Sequence, residues 1–470
     1  MIKKFLAPVT FFVCFALSAG NEARGNLLKN NERLDPTELQ SNVCIVVTGI
    51  LEKYHLRKSL INDSLSSLIF DRYLESLDNN KLYFLKSDVK QLEKYRFALD
   101  DAFITGNLQP AFEIYNLFQE RFNAWNQYAV QLTGKSFDFD RNESFQFNRE
   151  SAAWPATTED LNDIWRKTVK SQYLSLKLTG ISDEEIKKKL KDRFEKLASS
   201  NDQIISDDVF QMYMNVFTES FDPHTNYFLP ITSDNFMIGM SQSLEGIGAR
   251  LQTENEYTKV VEIIPGGPAF KSKLIFANDR IVGVAQGETG QWVDVIGWRI
   301  DEVVKLIRGP KETRVRLQVL KRDAMPGSKP EEILLVRDKV KIEEQAPRKE
   351  VITLHRGNKH YKIGVISVLS FYLDFEGEQQ GDPDFKSTTK DVKKLIAELK
   401  LEKVDGIIID LRNNGGGSLA EAINLTGLFI PDGPVVQIKN ATGSIEIQKD
   451  EDKDLYYDGP LGILINRFSA

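Results

Sequence analysis

The sequence is poor in the side chains that build covalent or metal frameworks: its 470 residues contain 2 Cys and 4 His. Two thiols, Cys14 and Cys44, exclude a disulfide scaffold and a Cys-rich zinc site, so the fold must rest on its hydrophobic core. The imidazoles of His55, His224, His355 and His360 show no helical i, i+4 pairing with a further ligand nearby, and no metal site is expected. Asp138, Asp140 and Asn142 begin like a calcium loop, but Glu143 stands in place of the turn glycine and Arg149 in place of the bidentate Glu. No long basic tract is present, and 61 Lys+Arg against 68 Asp+Glu leave a net charge of −7, which argues against nucleic acid as a partner. No apolar run reaches the roughly 20 residues of a spanning helix, and 41% hydrophobic with 27% charged residues describes a soluble globular chain. Neither a P-loop nor a dinucleotide fingerprint occurs, so no cofactor is expected.

What is present begins with a targeting segment. Residues 1–20 carry Lys3 and Lys4, an apolar run from Phe5 to Leu17 interrupted by Pro8, and then Ser18, Ala19 and Gly20. This is signal-peptide grammar and predicts export with cleavage near Gly20. Cys14 would leave with that segment, and Phe12-Val13-Cys14 lacks the small residues that precede a lipid-acceptor Cys. Cys44, within Val43 to Val47, reads as a buried small apolar residue.

The chain then divides by periodicity. Residues 21–236 are helical text, with apolar side chains three and four apart and few Gly or Pro. Ser182 with Glu185 is a capping-box signal opening a helix that carries Ile186, Leu190 and Phe194, with Lys187-Lys188-Lys189 as its solvated face. Trp154-Pro155 reads as a break between two helical layers. Residues 237–322 change to strands and turns, and 323–348 read as a linker or exposed hairpin followed by strands. Residues 349–470 alternate strand and helix, with Gly406–Asp410 a buried parallel strand, Leu461 to Leu464 a core strand and Asp450 to Asp454 a solvated loop. The fold class is multidomain α+β.

Two constellations could carry chemistry. In Asp410-Leu411-Arg412-Asn413-Asn414-Gly415-Gly416-Gly417-Ser418, a buried strand runs into a glycine loop, and Ser418 with Glu421 forms a capping box that starts the next helix. Such a loop is either a tight structural turn or a set of outward amides for an anion or an oxyanion. In the second, Ser243 to Ala249 precedes an exposed strand, and Ile300 to Ile307 is a helix with an apolar stripe. This pairing is either a plain small domain or a groove in which an extended peptide adds to the sheet and loop amides take its carboxylate. Asp222-Pro223-His224-Thr225 tempts toward a Ser-His-Asp triad, but no Gly-x-Ser-x-Gly elbow accompanies it, and it reads as a turn.

In their order these segments resemble the tail-specific protease family, C-terminal processing peptidases of the Ser/Lys class. The resemblance covers nearly the whole mature chain. Phe221 to Phe228 looks like the entry to the catalytic region. Ser243 to Ala249, Gly266-Gly267-Pro268-Ala269, Asp279 to Val284 and Asp294 to Arg299 look like a PDZ domain. Asp410 to Gly417 and Gly427 to Pro431 resemble the protease core. The resemblance implies a helical N-terminal domain, a PDZ domain and an incomplete α/β protease core. It implies a peptidase acting on proteins with nonpolar C-terminal tails, located in the periplasm and at most peripheral to the outer face of the inner membrane, with a possible adaptor protein.

The resemblance also assigns residues. Gly416 and Gly417 would stabilise an oxyanion and Arg412 would support their loop. Leu244, Gly246, Ile247, Gly248 and Ala249 would line the loop side of a peptide groove, and Val303, Val304 and Ile307 its helix side. The family's nucleophile lies in a Phe-Ser-Ala-Ser-Ala-Ser-Glu run, one residue past Ala470, and its Lys base in a Gly-Lys-Gly motif further on. Ser469 matches the first Ser of that run and is expected to be a structural neighbour. As written, the chain is expected not to hydrolyse peptides. It would be the N-terminal portion of such an enzyme, or a truncated product that only binds peptides through its PDZ domain.

Overall fold

A computed structural model describes residues 33–325, 328–450 and 454–470. The signal segment, Pro326-Gly327 in the expected linker and residues 451–453 of the expected solvated loop lie outside the described residues. Asp450 itself is buried, against Gly427, rather than solvated.

The helical domain packs around two apolar clusters. Its long helix Gln109–Thr133 serves both: Phe112, Ile114 and Tyr115 enter the first, and Trp125, Ala129 and Leu132 the second. Trp154 packs on the first cluster, and the Pro155 carbonyl accepts from the Lys86 amide. Side chains fix the helix starts: Thr37 with Gln40 and Thr157 with Asp160 form reciprocal capping boxes, and Ser182 accepts from the Glu185 amide. The helix Asp183–Asp202 buries Ile186, Leu190 and Phe194, and Cys44 is fully buried.

The middle domain is a six-stranded sheet closed over the helix Ile300–Ile307. Its edge strand Glu331–Val336 pairs antiparallel with Arg314–Leu320, so the first strand after the expected linker or exposed hairpin belongs to this sheet. Ser243–Gly246 is not loop but strand, paired antiparallel with Asp338–Lys341 in a separate ribbon. Arg337 is 4% exposed and closes the helix end, donating to the carbonyls of Leu306 (3.0 Å) and Ile307 (2.8 Å) and to Gln286 Oε1 (2.7 Å). Those carbonyls have no partner within the helix, so the guanidinium replaces what water would otherwise supply. Arg299 ties the start of the same helix to the helical domain through Asp208, at 2.6 and 3.2 Å.

The third domain carries a four-stranded sheet ordered Leu461–Leu464, Gly406–Asp410, Lys359–Ser367, Arg348–Arg356, parallel except for the last pair. The helices Thr388–Leu401 and Leu419–Gly427 bury Val392, Ile396 and Leu425 against it. Leu461–Leu464 is a correction to the expected core strand: it lies at the sheet edge, with Ile463 59% exposed.

Asp222-Pro223-His224-Thr225 forms a turn, with the Asp222 carboxylate accepting from the His224 amide at 2.8 Å and the Thr225 hydroxyl at 2.6 Å. The imidazole that meets Asp222 is His55, at 2.5 Å, and not the exposed His224. Hydrogen bonds from Thr225 and His55 hold the Asp222 carboxyl down at about 2, against about 3.9 in an unfolded chain. A depressed carboxyl stabilises the fold fully above its unfolded value and loses that contribution as pH falls from about 4 to about 2. Urea unfolding should therefore show Asp222→Asn less stable at neutral pH, with the deficit shrinking below about pH 4; a constant deficit across the acid range would contradict the assignment.

Candidate functional site

The first candidate site is a groove of about 470 Å³ on the middle domain. One wall is the turn and strand from Leu244 to Leu251, and another is Val304, Ile307 and Arg308. Lys341 to Glu344, which leave the Asp338–Lys341 strand, and Arg348 complete it. The turn is fixed through its carbonyls: Ala269 donates to Ile247 O (2.8 Å) and Ile264 to Gly248 O (2.9 Å). The amides of Ile247 and Gly248 find no acceptor among the described residues. Gly248 has φ +73, and a Cβ there would lie 3.0 Å from Gly267 Cα, so the close approach of the two backbones demands glycine.

Of the residues expected at this groove, Leu244, Ile247, Gly248, Ala249, Val304 and Ile307 line it. Val303 does not: it has no exposure and packs in the domain core, because the helical period turns positions 303 and 304 to different sides. Gly246 does not either; it ends the ribbon strand and packs against Arg308. Sequence reasoning missed Arg250, Arg308 and Ile342. Arg250 pairs with Glu344 (2.6 Å) and Glu262 (3.6 Å), tying the exposed strand to the segment that leaves the domain. Arg308 reaches Asn235 of the helix Pro230–Ser241 at 2.9 Å. Strand alternation from Ala249 onward was the available signal for Arg250.

The second candidate site is the glycine loop. It follows Asp410, whose carboxylate takes the Arg412 guanidinium in two bonds of 2.9 and 2.7 Å. That pairing holds the Asp410 carboxyl below the usual carboxylate range and leaves Arg412 directed at its own loop. Asn414, 1% exposed, bridges the loop: its Nδ2 donates to Val368 O (2.9 Å) and its Oδ1 accepts from the Gly416 amide (2.8 Å). The amide of Gly416 is thus committed. The amide of Gly417 has no acceptor among the described residues. Gly417 has φ +143, and a Cβ there would sit 2.2 Å from Phe371 O, so no other residue fits.

The segment Phe468-Ser469-Ala470 lies against this loop. Ser469 Oγ donates to Leu411 O (2.8 Å) and accepts from the Asn466 amide (2.9 Å), and the Ala470 amide donates to Asn414 O (2.9 Å). Ser469 is therefore occupied in shaping a turn. The expected capping box at Ser418 is one-sided: Ser418 accepts from the Glu421 amide, but the Glu421 side chain turns away. That carboxylate is 2% exposed and takes the Thr389 amide (2.6 Å) and the Ser387 hydroxyl (2.9 and 3.0 Å), tying two helix starts together. Burial pushes its carboxyl above the usual carboxylate range.

Three family models match the chain in order: tail specific protease N-terminal domain over residues 47–231, PDZ domain over 236–320, and peptidase family S41 over 362–470. Together with the groove and the glycine loop they define a PDZ-bearing chain of the S41 peptidase class. The chain is 40% identical over 424 residues to a tail-specific protease of Haemophilus influenzae, covering 90% of this chain and 58% of that protein. It is 30% identical over 250 residues to the carboxy-terminal processing protease CtpA of Bacillus subtilis, covering 53% and 46% respectively. Among solved structures it is similar to the PDZ domain of a carboxy-terminal protease from Vibrio cholerae in complex with peptide, at 47% identity and a TM-score of 0.20, covering 21% of this chain and 99% of that one. The chain belongs to the tail-specific protease family, and spans less than two thirds of the length of the two curated relatives.

If Asn414 holds the loop, Asn414→Leu should cost about 1–3 kcal/mol, because the buried Val368 carbonyl loses its donor and the half-buried Gly416 amide its acceptor. Site-resolved hydrogen exchange should show the Gly416 amide protected in the unmodified chain and exchanging faster in the variant. An equally protected Gly416 amide in both would contradict the bridge.

Proposed function

We propose that this chain is the recognition and loop-bearing part of a serine-type endopeptidase that degrades or processes proteins with nonpolar C-terminal tails. The groove takes the tail as an added strand along Ala249–Glu254, its carboxylate on the amides of Ile247 and Gly248 and its last side chain against Val304 and Ile307. The reaction is attack of a Ser hydroxyl on the peptide carbonyl while a neutral Lys accepts the proton. Both residues belong to the stretch that the family resemblance places after Ala470. The Gly417 amide, with no acceptor among the described residues, is the oxyanion donor of this loop. Gly416 shapes the loop, and Arg412 steadies it through Asp410.

The observation that carries this reading is the pinning of Ser469-Ala470 onto the glycine loop. A Cβ at Gly416 would lie 3.3 Å from Ala470 Cβ, so Ala470 sits against the loop whose Gly417 amide finds no acceptor among the described residues. Nucleophile and oxyanion donor need that proximity. Residues 1–20 support export to the periplasm, and among the described residues no helix is long and apolar enough to cross a membrane.

Fluorescence anisotropy with a labelled peptide ending in a nonpolar residue tests the groove. Amidating the peptide's terminus and the Val304→Glu substitution should each weaken binding at least about tenfold, the loss of a charge-assisted hydrogen bond and of an apolar contact respectively. Val304 is only half-buried, so its replacement leaves the domain core intact. Equal affinity for acid and amide peptides would overturn the carboxylate assignment. Binding without any turnover by the protein from its own cells would favour a peptide-binding protein over a peptidase.

A further inference from the structure

The strand hairpin Arg348–Arg356 and Lys359–Ser367 turns through two residues, Gly357 and Asn358, with Gly357 at φ +59. In a hairpin of that length Arg356 and Lys359 form the pair beside the turn, and His355 and His360 face each other one step further along. Such a pair alternates with the hydrogen-bonded ones and is the kind whose side chains come closest. The two imidazoles use that proximity in an unusual way. Their Nδ1 atoms converge to 2.5 Å, the rings stand at 83° to each other with centroids 4.5 Å apart, and both residues are exposed.

Two neutral imidazoles brought together so can share one hydrogen bond, in which one ring donates and the other accepts. The same two lone-pair donors can instead hold one metal ion. With metal–nitrogen distances of about 2.0–2.1 Å, a tetrahedral ion needs its two nitrogens about 3.3 Å apart. The pair would open by less than 1 Å, which exposed side chains reach by small rotations. We propose that His355 and His360 form a two-imidazole site for a divalent transition metal, with water in the remaining positions. Among the described residues no group of three or more His, Cys, Asp and Glu converges on a point, so no carboxylate completes the set. The neighbouring charges on the strands are Arg356, Lys359 and Lys362. A nitrogen-only site without carboxylates selects ions that bind imidazole, Cu²⁺ most strongly with Ni²⁺ and Zn²⁺ below it, and rejects Mg²⁺ and Ca²⁺. The bound ion would link the two strands at the tip of the hairpin and raise the stability of the folded chain by mass action.

The test is isothermal titration of Ni²⁺ and, separately, Cu²⁺ into the untagged chain. One equivalent of each ion should bind, and the Cu²⁺ complex should show two coordinated nitrogens by electron paramagnetic resonance. His355→Ala and His360→Ala should each weaken this binding at least tenfold, and the rise in unfolding temperature with Ni²⁺ should vanish in both. His224→Ala, which removes an exposed imidazole elsewhere, should change nothing. Unaltered Ni²⁺ and Cu²⁺ affinity in both hairpin variants overturns the site, as does an equal loss in His224→Ala. Circular dichroism shows whether each variant is folded; should one alanine variant be unfolded, His355→Gln and His360→Gln carry the same expectation.

Discussion

The glycine loop of the third domain depends on one buried side chain. Three consecutive glycines have no side chains with which to hold a conformation, and in isolation such a segment would sample many. Asn414 removes that freedom from behind, spending its Nδ2 on Val368 and its Oδ1 on Gly416, while its own carbonyl receives the amide of Ala470. The loop, the end of the Lys359–Ser367 strand and the Phe468-Ser469-Ala470 turn are thereby fixed to a single residue. The amides of Gly415, Gly416 and Ser418 are matched to Leu369, Asn414 and Phe371, and that of Gly417 finds no acceptor among the described residues.

The groove is built on the same logic in a different fold. Its turn is held by its carbonyls, which accept from Ile264 and Ala269, and the amides of Ile247 and Gly248 find no acceptor among the described residues. Arg337 closes the end of the facing helix, and Arg299 anchors its start to Asp208 of the helical domain. In both places a buried or half-buried polar side chain fixes the surrounding backbone, and the amides that remain are those our proposal gives to a peptide carboxylate and to an oxyanion. Preorganisation of this kind removes the ordering cost from the moment of binding.

The domain order, the buried Gly406–Asp410 strand and the helix Thr388–Leu401 were legible because hydrophobic periodicity records them directly. The glycine loop was legible as a loop, since a buried strand followed by three glycines has few other outcomes. Three features were not. Glu421 sits three residues after Ser418, the spacing of a capping box, yet its carboxylate goes to Ser387 and Thr389, partners set by tertiary packing. Val303 and Val304 are alike in sequence, and only the phase of the helix against the sheet sends one to the core and the other to the groove. His355 and His360 are five apart, a spacing with no meaning on a helix; they meet because a two-residue turn sets the strand register. That the strand after the expected linker or exposed hairpin returns to the same sheet as those before it was likewise set by tertiary pairing, Glu331–Val336 against Arg314–Leu320.

The central claim is that a nonpolar C-terminal tail is recognised and that cleavage follows from it. The most direct measurement is hydrolysis by the protein isolated from its own cells, offered one folded substrate protein carrying either a nonpolar tail or the same tail ending in charged residues. The account predicts cleavage of the first and little of the second. Cleavage indifferent to the tail, or none of either, would contradict it.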